Sequence, residues 1–354
     1  MGTAIKRVLV AMSGGVDSSL AAAVLKEQGY DLVGVTLHLW DAGKGEQVGK
    51  CCAPEDRDDA RRSCDHLGIP HYVLDERKAF RNTVVDPFLD TYIKGRTPIP
   101  CVSCNQHVKL TRLLEVADAF GASHVATGHY VRLQHDGDKV NTILRGRDYN
   151  KDQSYFLFGV PSFVFERMLF PLGELTKDEV RKLALKYNLP NATKPESQSL
   201  CFVPDGDIGG FVDRQRSLSK SGTIVDENNQ ALAEHDGVHR FTVGQRKGLG
   251  LGGGKPRYVL RILPEEDKVV VGERSSLGAK EVRAEGVSWL VPKPEHAFRA
   301  KVRIRYRHEP SDARVQPTSD GFIAEFDEQQ FAITPGQAAV IYKDDAVLAG
   351  GYIA

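Results

Sequence analysis

The sequence predicts an α/β fold in which a parallel-sheet domain is followed by a small linker domain and a C-terminal antiparallel β-barrel. Strand-like and helix-like patterns alternate over residues 6–200, which is typical of a parallel sheet with crossover helices. After Cys201 the chain becomes rich in Asp, Gly and Ser, and from about residue 280 it is strand-like with many turns. These changes predict three domains: 1–205, 206–277 and 278–354.

Apolar runs predict the strands of the sheet, at Val8–Ala11, Leu32–Leu39, His71–Leu74 and His124–Thr127. Helical patterns separate and follow them, at about 18–28, 55–67, 79–93 and 105–119, with a helical subregion at about 161–188. In the last of these, Thr176 and Glu179 have the spacing of a capping box. Ligands bind at the carboxyl ends of parallel strands, so we expect the site near Leu37 and Gly128.

The composition limits which partners the protein can bind and indicates its cellular compartment. Among 354 residues, Lys plus Arg and Asp plus Glu both number 47, so a nucleic acid must be bound by local basic patches. The six cysteines all lie within the first 201 residues, and in a long chain they favour metal, catalytic or buried thiols over a disulfide framework. We find neither an apolar run of about 20 residues nor a signal-peptide pattern, and expect a cytoplasmic protein without a membrane partner.

The segment Ser13–Ser19, of sequence Ser-Gly-Gly-Val-Asp-Ser-Ser, lies between a strand pattern and an alanine-rich helix pattern. Glycines allow close approach of the backbone to a ligand, and the helix N-terminus presents N–H groups and a positive dipole end to an anion. The segment lacks the Lys-Ser/Thr ending of a P-loop. It therefore predicts a phosphate cradle of another kind, the alternative being an ordinary strand-to-helix turn of small residues.

This segment resembles the pyrophosphate loop (PP-loop) of the N-type ATP pyrophosphatases, which cleave ATP between the α and β phosphates. The resemblance implies a PP-loop ATP pyrophosphatase domain that uses ATP and Mg²⁺. Asp17 would assist through magnesium or by ordering the loop. The implied nucleotide contacts, made mainly by backbone atoms, are Ala11, Met12, Ser13, Gly14, Gly15, Val16, Asp17, Ser18, Leu37 and Gly128, with the Ser19 hydroxyl as a further phosphate donor.

A Cys-x-x-Cys motif, Cys101 to Cys104, follows two prolines. Ser103 and Gln106 have capping-box spacing, which places Cys104 in the first turn of a helix, where the dipole lowers the pKa of a thiol. The alternatives are half of a zinc site, a thioredoxin-like motif or two buried thiols.

A wider set of motifs is similar to the bacterial tRNA-specific 2-thiouridylases: 97–105, 126–130, 151–157, 196–202, 242–250 and 334–337. The resemblance implies that Cys104 is the first catalytic cysteine and that Cys201 carries a persulfide, supplied by a sulfur-relay protein or a cysteine desulfurase. It also implies a Cys104–Cys201 disulfide after sulfur transfer to C2 of the wobble uridine. The implied tRNA contacts are Ile99, Pro100, Cys101, His129, Lys151, Asp152, Gln153, Arg305, Tyr306 and Gln337.

One position departs from that family, whose well-known members carry Asp where this chain has Cys101. Three thiols, Cys101, Cys104 and Cys201, are enough to hold three corners of a 4Fe–4S cluster, which is the alternative to a metal-free site. We interpret Cys51 and Cys52 as thiols of the site wall and Cys64 as a core residue.

In the segment Phe298–His308 five cations alternate with apolar residues. On a strand this spacing places Arg299, Lys301, Arg303, Arg305 and Arg307 on one face, which favours contact with an RNA backbone. The alternative is a solvated strand face balanced by nearby acids.

A GxGxxG match at 248–253 lacks the strand–turn–helix context of a dinucleotide site. At the level of function, the alternatives are another adenylating enzyme, such as an amidotransferase synthetase, and an RNA-binding or sulfur-carrier module.

Overall fold

The computed structural model describes residues 6–41, 54–137, 139–196, 200–203, 205–217, 220–252 and 254–354. Cys51 and Cys52 lie outside this part, so their interpretation stays a prediction. The chain forms two compact units. The first comprises residues 1–84, 101–206 and 345–347, and the second comprises 85–100, 207–344 and 348–354. The division into three domains remains a prediction.

The helices of the described residues, in chain order, are α1 Val16–Glu27, α2 Pro54–Leu67, α3 Arg77–Phe80, α4 Asp86–Ile93, α5 Pro100–Ser103, α6 Leu110–Ala119, α7 Ser162–Phe165, α8 Lys177–Lys186 and α9 Ile208–Arg216. Two π-helical segments, Arg81–Val85 and Cys104–Lys109, join α3 to α4 and α5 to α6.

The strands of the first unit begin with β1 Arg7–Ala11, β2 Asp31–His38, β3 His71–Asp75, β4 His124–Ala126, β5 Val131–Asp136, β6 Lys139–Arg145 and β7 Met168–Leu169. Those that follow are β8 Gly222–Val225, β9 Ala231–His235, β10 Tyr258–Leu263, β11 Lys268–Gly272, β12 Gly278–Trp289, β13 Phe298–Arg303, β14 Ser311–Pro317, β15 Gly321–Phe331, β16 Ala338–Lys343 and β17 Ala346–Ile353.

A five-stranded parallel sheet in the order β3-β2-β1-β4-β7 forms the centre of the first unit. The predicted parallel α/β architecture is confirmed, since β1 pairs in parallel with both β2 and β4. Val8 and Val10 of β1 are fully buried and pack in one cluster with Ala22 of α1 and with Ala60 and Cys64 of α2. Helix α1 therefore rests directly on β1, and the loop between them lies at the carboxyl edge of the sheet.

The predicted helix at 79–93 and the predicted helix start at 105 differ from the structure. The first is divided into α3, a π-helical segment and α4, and the second begins earlier, at Pro100. Proline is favoured in the first turn of a helix because it has no N–H to satisfy there. The Ser103–Gln106 capping box was wrong, since Ser103 is helical (φ −59°, ψ −38°) and makes no capping hydrogen bond.

The predicted helical subregion at 161–188 contains α7 and α8, and the short strand β7 between them completes the sheet. The Thr176–Glu179 capping box is confirmed. The Glu179 N–H donates to Thr176 Oγ1, and Glu179 Oε2 accepts from the Thr176 N–H at 2.7 Å. The β5–β6 hairpin was not predicted.

In the second unit, β8 to β11 form a four-stranded sheet in the order β10-β11-β8-β9, around a core that includes Ile224, Val259 and Val269. The strands β12-β15-β14-β13-β16-β17 then close into a six-stranded antiparallel barrel through the β12–β17 pairing. The predicted C-terminal barrel is therefore confirmed. Its core includes Val302, Phe322 and Ile341, which have no exposed surface.

The prediction that five cations share one face of a strand was wrong, because β13 ends at Arg303. Arg299 and Lys301 are exposed on the strand, whereas Arg303 is only 4% exposed. The Arg303 guanidinium donates a hydrogen bond to the Tyr306 carbonyl and lies 5.5 Å from the centre of its ring. These contacts turn the chain, so Arg305 and Arg307 lie beyond the strand.

A search of the described helices finds none that is long and apolar enough to cross a membrane.

We expect Thr176→Ala to lower the free energy of unfolding by about 1 kcal/mol, because it removes the hydroxyl that accepts the Glu179 N–H at the start of α8 while the backbone half of the capping box remains. Equilibrium urea unfolding would measure the change. Thr193→Ala is the control, since Thr193 is an exposed threonine outside any helix. Equal effects of the two substitutions would contradict the role of the cap.

Candidate active site

The loop Ser13–Ser19 joins β1 to α1 and has the geometry of an anion cradle. Gly14 adopts a φ of +77°, and a Cβ at this position would lie 2.1 Å from the Asp56 carbonyl oxygen. A residue with a side chain would therefore suffer both backbone strain and a collision. Glycine at position 14 lets the loop turn tightly against α2 and then enter α1.

Hydroxyl groups support the inside of this turn. The Ser13 N–H donates to Ser18 Oγ at 3.2 Å, and Ser18 Oγ donates to the Gly15 carbonyl at 3.0 Å. No side chain caps the N-terminus of α1, where Gly15 is extended (φ −85°, ψ 158°). The N–H groups of the first turn of α1 are thus directed out of the helix, at its positive end, where an anion is stabilised.

Gly128, which follows β4, approaches the same helix start. A Cβ on Gly128 would lie 2.8 Å from the backbone carbon of Asp17 and from the Ser18 nitrogen. On the other side, the Met12 N–H donates to the Val35 carbonyl at 2.8 Å, and Thr36 Oγ1 donates to the Met12 carbonyl at 2.7 Å. The structure thus brings residues 12–18 and Gly128 together at the edge of the sheet, with half-buried Leu37 on the neighbouring strand.

Side chains from a distant part of the chain hold the outer edge of the loop. Asn191, only 4% exposed, donates through Nδ2 to the Gly14 carbonyl and to Ser19 Oγ, both at 3.0 Å. The Lys194 ammonium donates to the same carbonyl at 3.3 Å and pairs with Asp59 at 2.5 Å. These contacts fix the conformation of the loop.

Asp17 belongs to an alternating network of charges. Its carboxylate accepts from Tyr130 Oη at 2.8 Å and from Lys177 Nζ at 2.7 and 2.9 Å. Lys177 also pairs with Glu196 at 2.8 Å, and Glu196 pairs with Lys151 at 2.6 Å. Burial and the adjacent Asp17 carboxylate raise the pKa of Tyr130, so its hydroxyl stays a donor. Burial alone would raise the pKa of Glu196, but the two lysines lower it to about 2.

The two thiols of the Cys-x-x-Cys motif occupy different parts of one helical segment. Cys101 is half-buried in the first turn of α5, whereas Cys104 is 5% exposed and begins the π-helical segment Cys104–Lys109. The helix begins at Pro100, directly before Cys101, and the prediction that Cys104 occupies the first turn was wrong. π-Helical turns are rare in proteins overall. Those that do occur inside α-helices are often found at functional sites.

Cys201 lies in a short turn, in which the Val203 N–H donates to the Leu200 carbonyl at 3.0 Å. The adjacent Phe202 is 2% exposed, and its ring packs edge-on against Phe80 at 5.7 Å and Trp40 at 6.4 Å. Aromatic pairs of this geometry are favourable beyond the area that they bury. This packing anchors the chain next to Cys201.

The iron–sulfur interpretation is not supported. Among the described residues, which include Cys101, Cys104 and Cys201, there is no group of three or more His, Cys, Asp or Glu side chains placed to hold a metal ion. The residues therefore do not fit a cluster, and no step is assigned to one.

The chain matches three family models in order. The "tRNA methyl transferase HUP domain" matches residues 6–205, the "tRNA methyl transferase PRC-barrel domain" matches 210–273 and the "Aminomethyltransferase beta-barrel domain" matches 279–353.

Curated relatives match over nearly the whole length. A "tRNA-specific 2-thiouridylase MnmA" of Geotalea uraniireducens is 46% identical over 98% of this chain and 95% of its own length. Proteins of the same name from Sorangium cellulosum and Solibacter usitatus are 47% and 46% identical over 98% of this chain, and over 92% and 98% of their own lengths. The chain belongs to the tRNA-specific 2-thiouridylase family. The resemblance inferred from the motifs is thereby confirmed.

The family relationship suggests several residues of the first unit as tRNA contacts. These residues differ in how exposed their side chains are. Lys151 is half-buried beside Glu196, and Gln153 Oε1 accepts from the Tyr130 N–H at 3.0 Å. Asp152 is 1% exposed and accepts from the N–H groups of Gly146 and Ser154, so its carboxylate shapes the loop. Its role in tRNA contact stays a prediction.

His129 is a further residue suggested for tRNA. Burial, and then the charge of Lys109, lower the pKa of His129 to about 3. Its Nδ1 lies 2.8 Å from Thr127 Oγ1, and its ring meets Phe170 edge-on. The imidazole is therefore neutral at pH 7, and a contact with RNA would be a hydrogen bond or a stack, without an ion pair.

In the second unit, the segment that leads into the Cys-x-x-Cys motif is held by barrel residues. The Thr97 N–H donates to the Pro335 carbonyl at 2.9 Å, and Gln337 Nε2 donates to the Thr97 carbonyl at 3.1 Å. Gly336 has a φ of +89°, and a Cβ there would lie 2.9 Å from the Thr97 oxygen. Ile99 and Pro100 are buried, so the suggested tRNA contacts of this segment lie in a well-packed region.

Arg305 and Tyr306 lie in the turn after β13, Arg305 exposed and Tyr306 half-buried. They share the second unit with Gln337. Their roles in tRNA contact stay predictions.

The side chains that support the loop were mostly not predicted. Tyr130 and Glu196 fall inside motifs that the sequence shows, but Thr36, Lys177, Asn191 and Lys194 fall in none. Their partners are more than 20 positions away along the chain, as for Lys177 and Asp17, which are 160 apart. A single sequence carries no signal for such pairs.

Cys64 is the thiol that we expect to be least reactive. It is fully buried, and burial raises its pKa to about 12. At pH 8 only about one molecule in ten thousand then carries the thiolate, so alkylation should be at least about 100-fold slower in the folded than in the unfolded chain. Because the thiol of the unfolded chain ionises at its ordinary pKa of about 8.5, the fold loses stability as the pH rises from there toward about 12, the pKa of the buried thiol.

Peptide-resolved mass spectrometry of iodoacetamide labelling at pH 8 measures this rate, and the same protein in denaturant is the control. Equal labelling of Cys64 in both conditions would show that the thiol is not sequestered.

Proposed function

We propose that this protein transfers sulfur to C2 of the wobble uridine of tRNA in an ATP-dependent reaction that releases AMP and pyrophosphate. The observation that carries the proposal is the preformed phosphate loop, with Gly14 at a φ of +77°, in a chain that is 46% identical to a tRNA-specific 2-thiouridylase along its length. The loop supports adenylation, and the cysteines support sulfur transfer.

ATP is the nucleotide that the loop fits. The N–H groups at the start of α1 and the Ser13 hydroxyl would hold its phosphates, and Asp17 supplies a carboxylate that suits Mg²⁺. The hydroxyls of Ser18 and Ser19 were expected to donate to phosphate, but they are buried and donate to the Gly15 carbonyl, so they shape the loop. Bound magnesium would neutralise the leaving pyrophosphate. Gly128 and Leu37 at the sheet edge would line the nucleotide, together with Ala11 and Met12.

The reaction has two stages. In the first, uridine O2 attacks the α phosphate of ATP, pyrophosphate leaves, and C2 becomes an adenylated electrophile. In the second, the Cys104 thiolate attacks the inner sulfur of a Cys201 persulfide and frees sulfide, which adds to C2 and expels AMP. The balance leaves a Cys104–Cys201 disulfide that a thiol reductant must reduce. Attack by the Cys201 persulfide itself, followed by Cys104, gives the same products.

Two partners follow from this scheme. The uridine must leave its stack to expose C2, so the tRNA anticodon is bound with a flipped base. The persulfide sulfur must come from a sulfur-relay protein or a cysteine desulfurase.

Each predicted domain has a role in this scheme. We propose that residues 1–205 carry out catalysis, that residues 206–277 connect the two other domains and that residues 278–354 bind tRNA.

We expect Cys104→Ser and Cys201→Ser each to abolish formation of 2-thiouridine, because each removes one sulfur of the disulfide, while tRNA-dependent pyrophosphate release persists. Unmodified tRNA is incubated with protein, ATP, magnesium, a cysteine desulfurase with cysteine as the persulfide donor, and a thiol reductant, and its nucleosides are analysed by mass spectrometry.

A parallel reaction with S-adenosylmethionine in place of ATP and the persulfide donor tests the activity that the family-model description names. Methylated nucleosides, or full thiolation by either variant, would contradict the proposal.

We expect Arg305→Ala to weaken tRNA binding about fivefold at physiological salt and to reduce the slope of log affinity against log salt by about one, as for loss of one phosphate contact. Filter binding over a range of salt concentrations measures both quantities. Arg299→Ala is the matched control, because Arg299 is also exposed but pairs with Asp327 at 2.8 Å. An unchanged slope for Arg305→Ala would show that Arg305 makes no phosphate contact and that the RNA-binding face lies elsewhere.

A further inference from the structure

The Cys-x-x-Cys motif places two thiols one helical turn apart. Residues 101–103 are helical, since α5 spans Pro100–Ser103 and Ser103 has a φ of −59° and a ψ of −38°. Residues three positions apart in a helix lie on the same face, with their Cα atoms about 5 Å from each other. A disulfide joins Cα atoms that are about 4.4–6.8 Å apart. The spacing of Cys101 and Cys104 therefore meets the distance requirement of a disulfide.

The residues between and after the two thiols hold this turn in place. Val102 is fully buried, and a Cβ on Gly159 would lie 3.0 Å from Val102 Cγ1. Asn105 is 4% exposed, and its Nδ2 donates to the Phe156 carbonyl at 3.4 Å. Because the backbone of the turn is fixed by this packing, the spacing between the two thiols is fixed as well.

The two thiols differ in their access to solvent. Cys104 is 5% exposed, whereas Cys101 is half-buried, in the first turn of a helical run that continues without a break from Pro100 to Ala119. A thiolate at the start of such a run is stabilised by the helix dipole. Cys101 is therefore the thiol of the motif that is suited both to attack a disulfide and to meet a reductant from solution.

The proposed sulfur transfer leaves Cys104 in a disulfide with Cys201. While this bond persists, Cys201 cannot receive the next persulfide sulfur. A thiol held next to a disulfide attacks it faster than a thiol from solution, because its effective concentration is far higher. Cys101, one turn from Cys104, is such a thiol.

We propose that Cys101 is the resolving thiol of the reaction, which transfers the disulfide from Cys201 to the Cys-x-x-Cys motif. The inference rests on the proposed function and adds one step to it. The Cys101 thiolate attacks Cys104 Sγ, so a Cys101–Cys104 bond forms and the Cys104–Cys201 bond breaks. The electron pair of the broken bond leaves with Cys201 Sγ, which is then ready for a new persulfide sulfur. A thiol reductant afterwards reduces the Cys101–Cys104 disulfide, supplies its two electrons and is itself oxidised to a disulfide.

The test identifies which cysteines are joined after a single turnover. The protein is loaded with persulfide by a cysteine desulfurase and cysteine, separated from small thiols under argon, and mixed with unmodified tRNA, ATP and magnesium. Samples are stopped with acid at successive times, the remaining thiols are blocked with N-ethylmaleimide, and tryptic peptides are analysed by mass spectrometry.

Trypsin distinguishes the two disulfides. Cys101 and Cys104 fall in one peptide, Thr97–Lys109, and Cys201 falls in another, Tyr187–Arg214. A Cys104–Cys201 disulfide links the two peptides, whereas a Cys101–Cys104 disulfide closes the first peptide on itself and leaves Cys201 to be labelled.

In the wild-type protein we expect the linked peptides to appear first and to be replaced by the closed peptide. In Cys101→Ser the linked peptides should persist, with a half-life at least about tenfold longer, because the intramolecular attacking thiol is missing. Cys101→Ala, which also lacks the hydroxyl, should behave in the same way. Ser103→Ala is the matched control, since it changes a half-buried residue of the same turn, keeps all three thiols and should follow the wild-type pattern.

The outcomes separate the two proposals. Linked peptides that persist in the wild-type protein, or that disappear equally fast in Cys101→Ser, overturn the resolving role of Cys101 while thiolation stands. A merely structural role would lower the thermal stability of Cys101→Ser without changing which cysteines are joined. Failure of the wild-type protein to form 2-thiouridine overturns the proposed function itself.

Discussion

The close approach of three backbone segments at the start of α1 is the constraint on which the site depends. Gly14 lies against the Asp56 carbonyl, and Gly128 lies against the backbone of Asp17 and Ser18, at separations that leave no room for a Cβ. Only glycine allows this packing. The result is a helix N-terminus that is open toward the carboxyl edge of the sheet and held from both sides, as anion binding requires.

The charges around the loop are balanced before any nucleotide arrives. Asp17, Lys177, Glu196 and Lys151 alternate in sign, and Asn191 and Lys194 hold the Gly14 carbonyl. A loop organised in this way needs little rearrangement to accept a phosphate, so little binding energy is lost to ordering.

The two cysteines of the Cys-x-x-Cys motif occupy positions in the helix that differ from those predicted from the motif alone. The helix that contains Cys-x-x-Cys begins at Pro100, so Cys101 lies in the turn where the dipole acts. Cys104 starts a π-helical segment and is buried.

The sequence by itself determined the parallel sheet, the phosphate loop, the Thr176 cap, the C-terminal barrel and the family. Each depends on residues close together in the chain, where periodicity, glycine spacing and capping chemistry act. The tertiary structure alone decided that Arg303 is buried rather than exposed, that α5 begins at Pro100 and that Lys177 serves Asp17 from 160 positions away. These features depend on tertiary contacts between segments that are distant in the sequence. A local sequence pattern contains no information about such contacts.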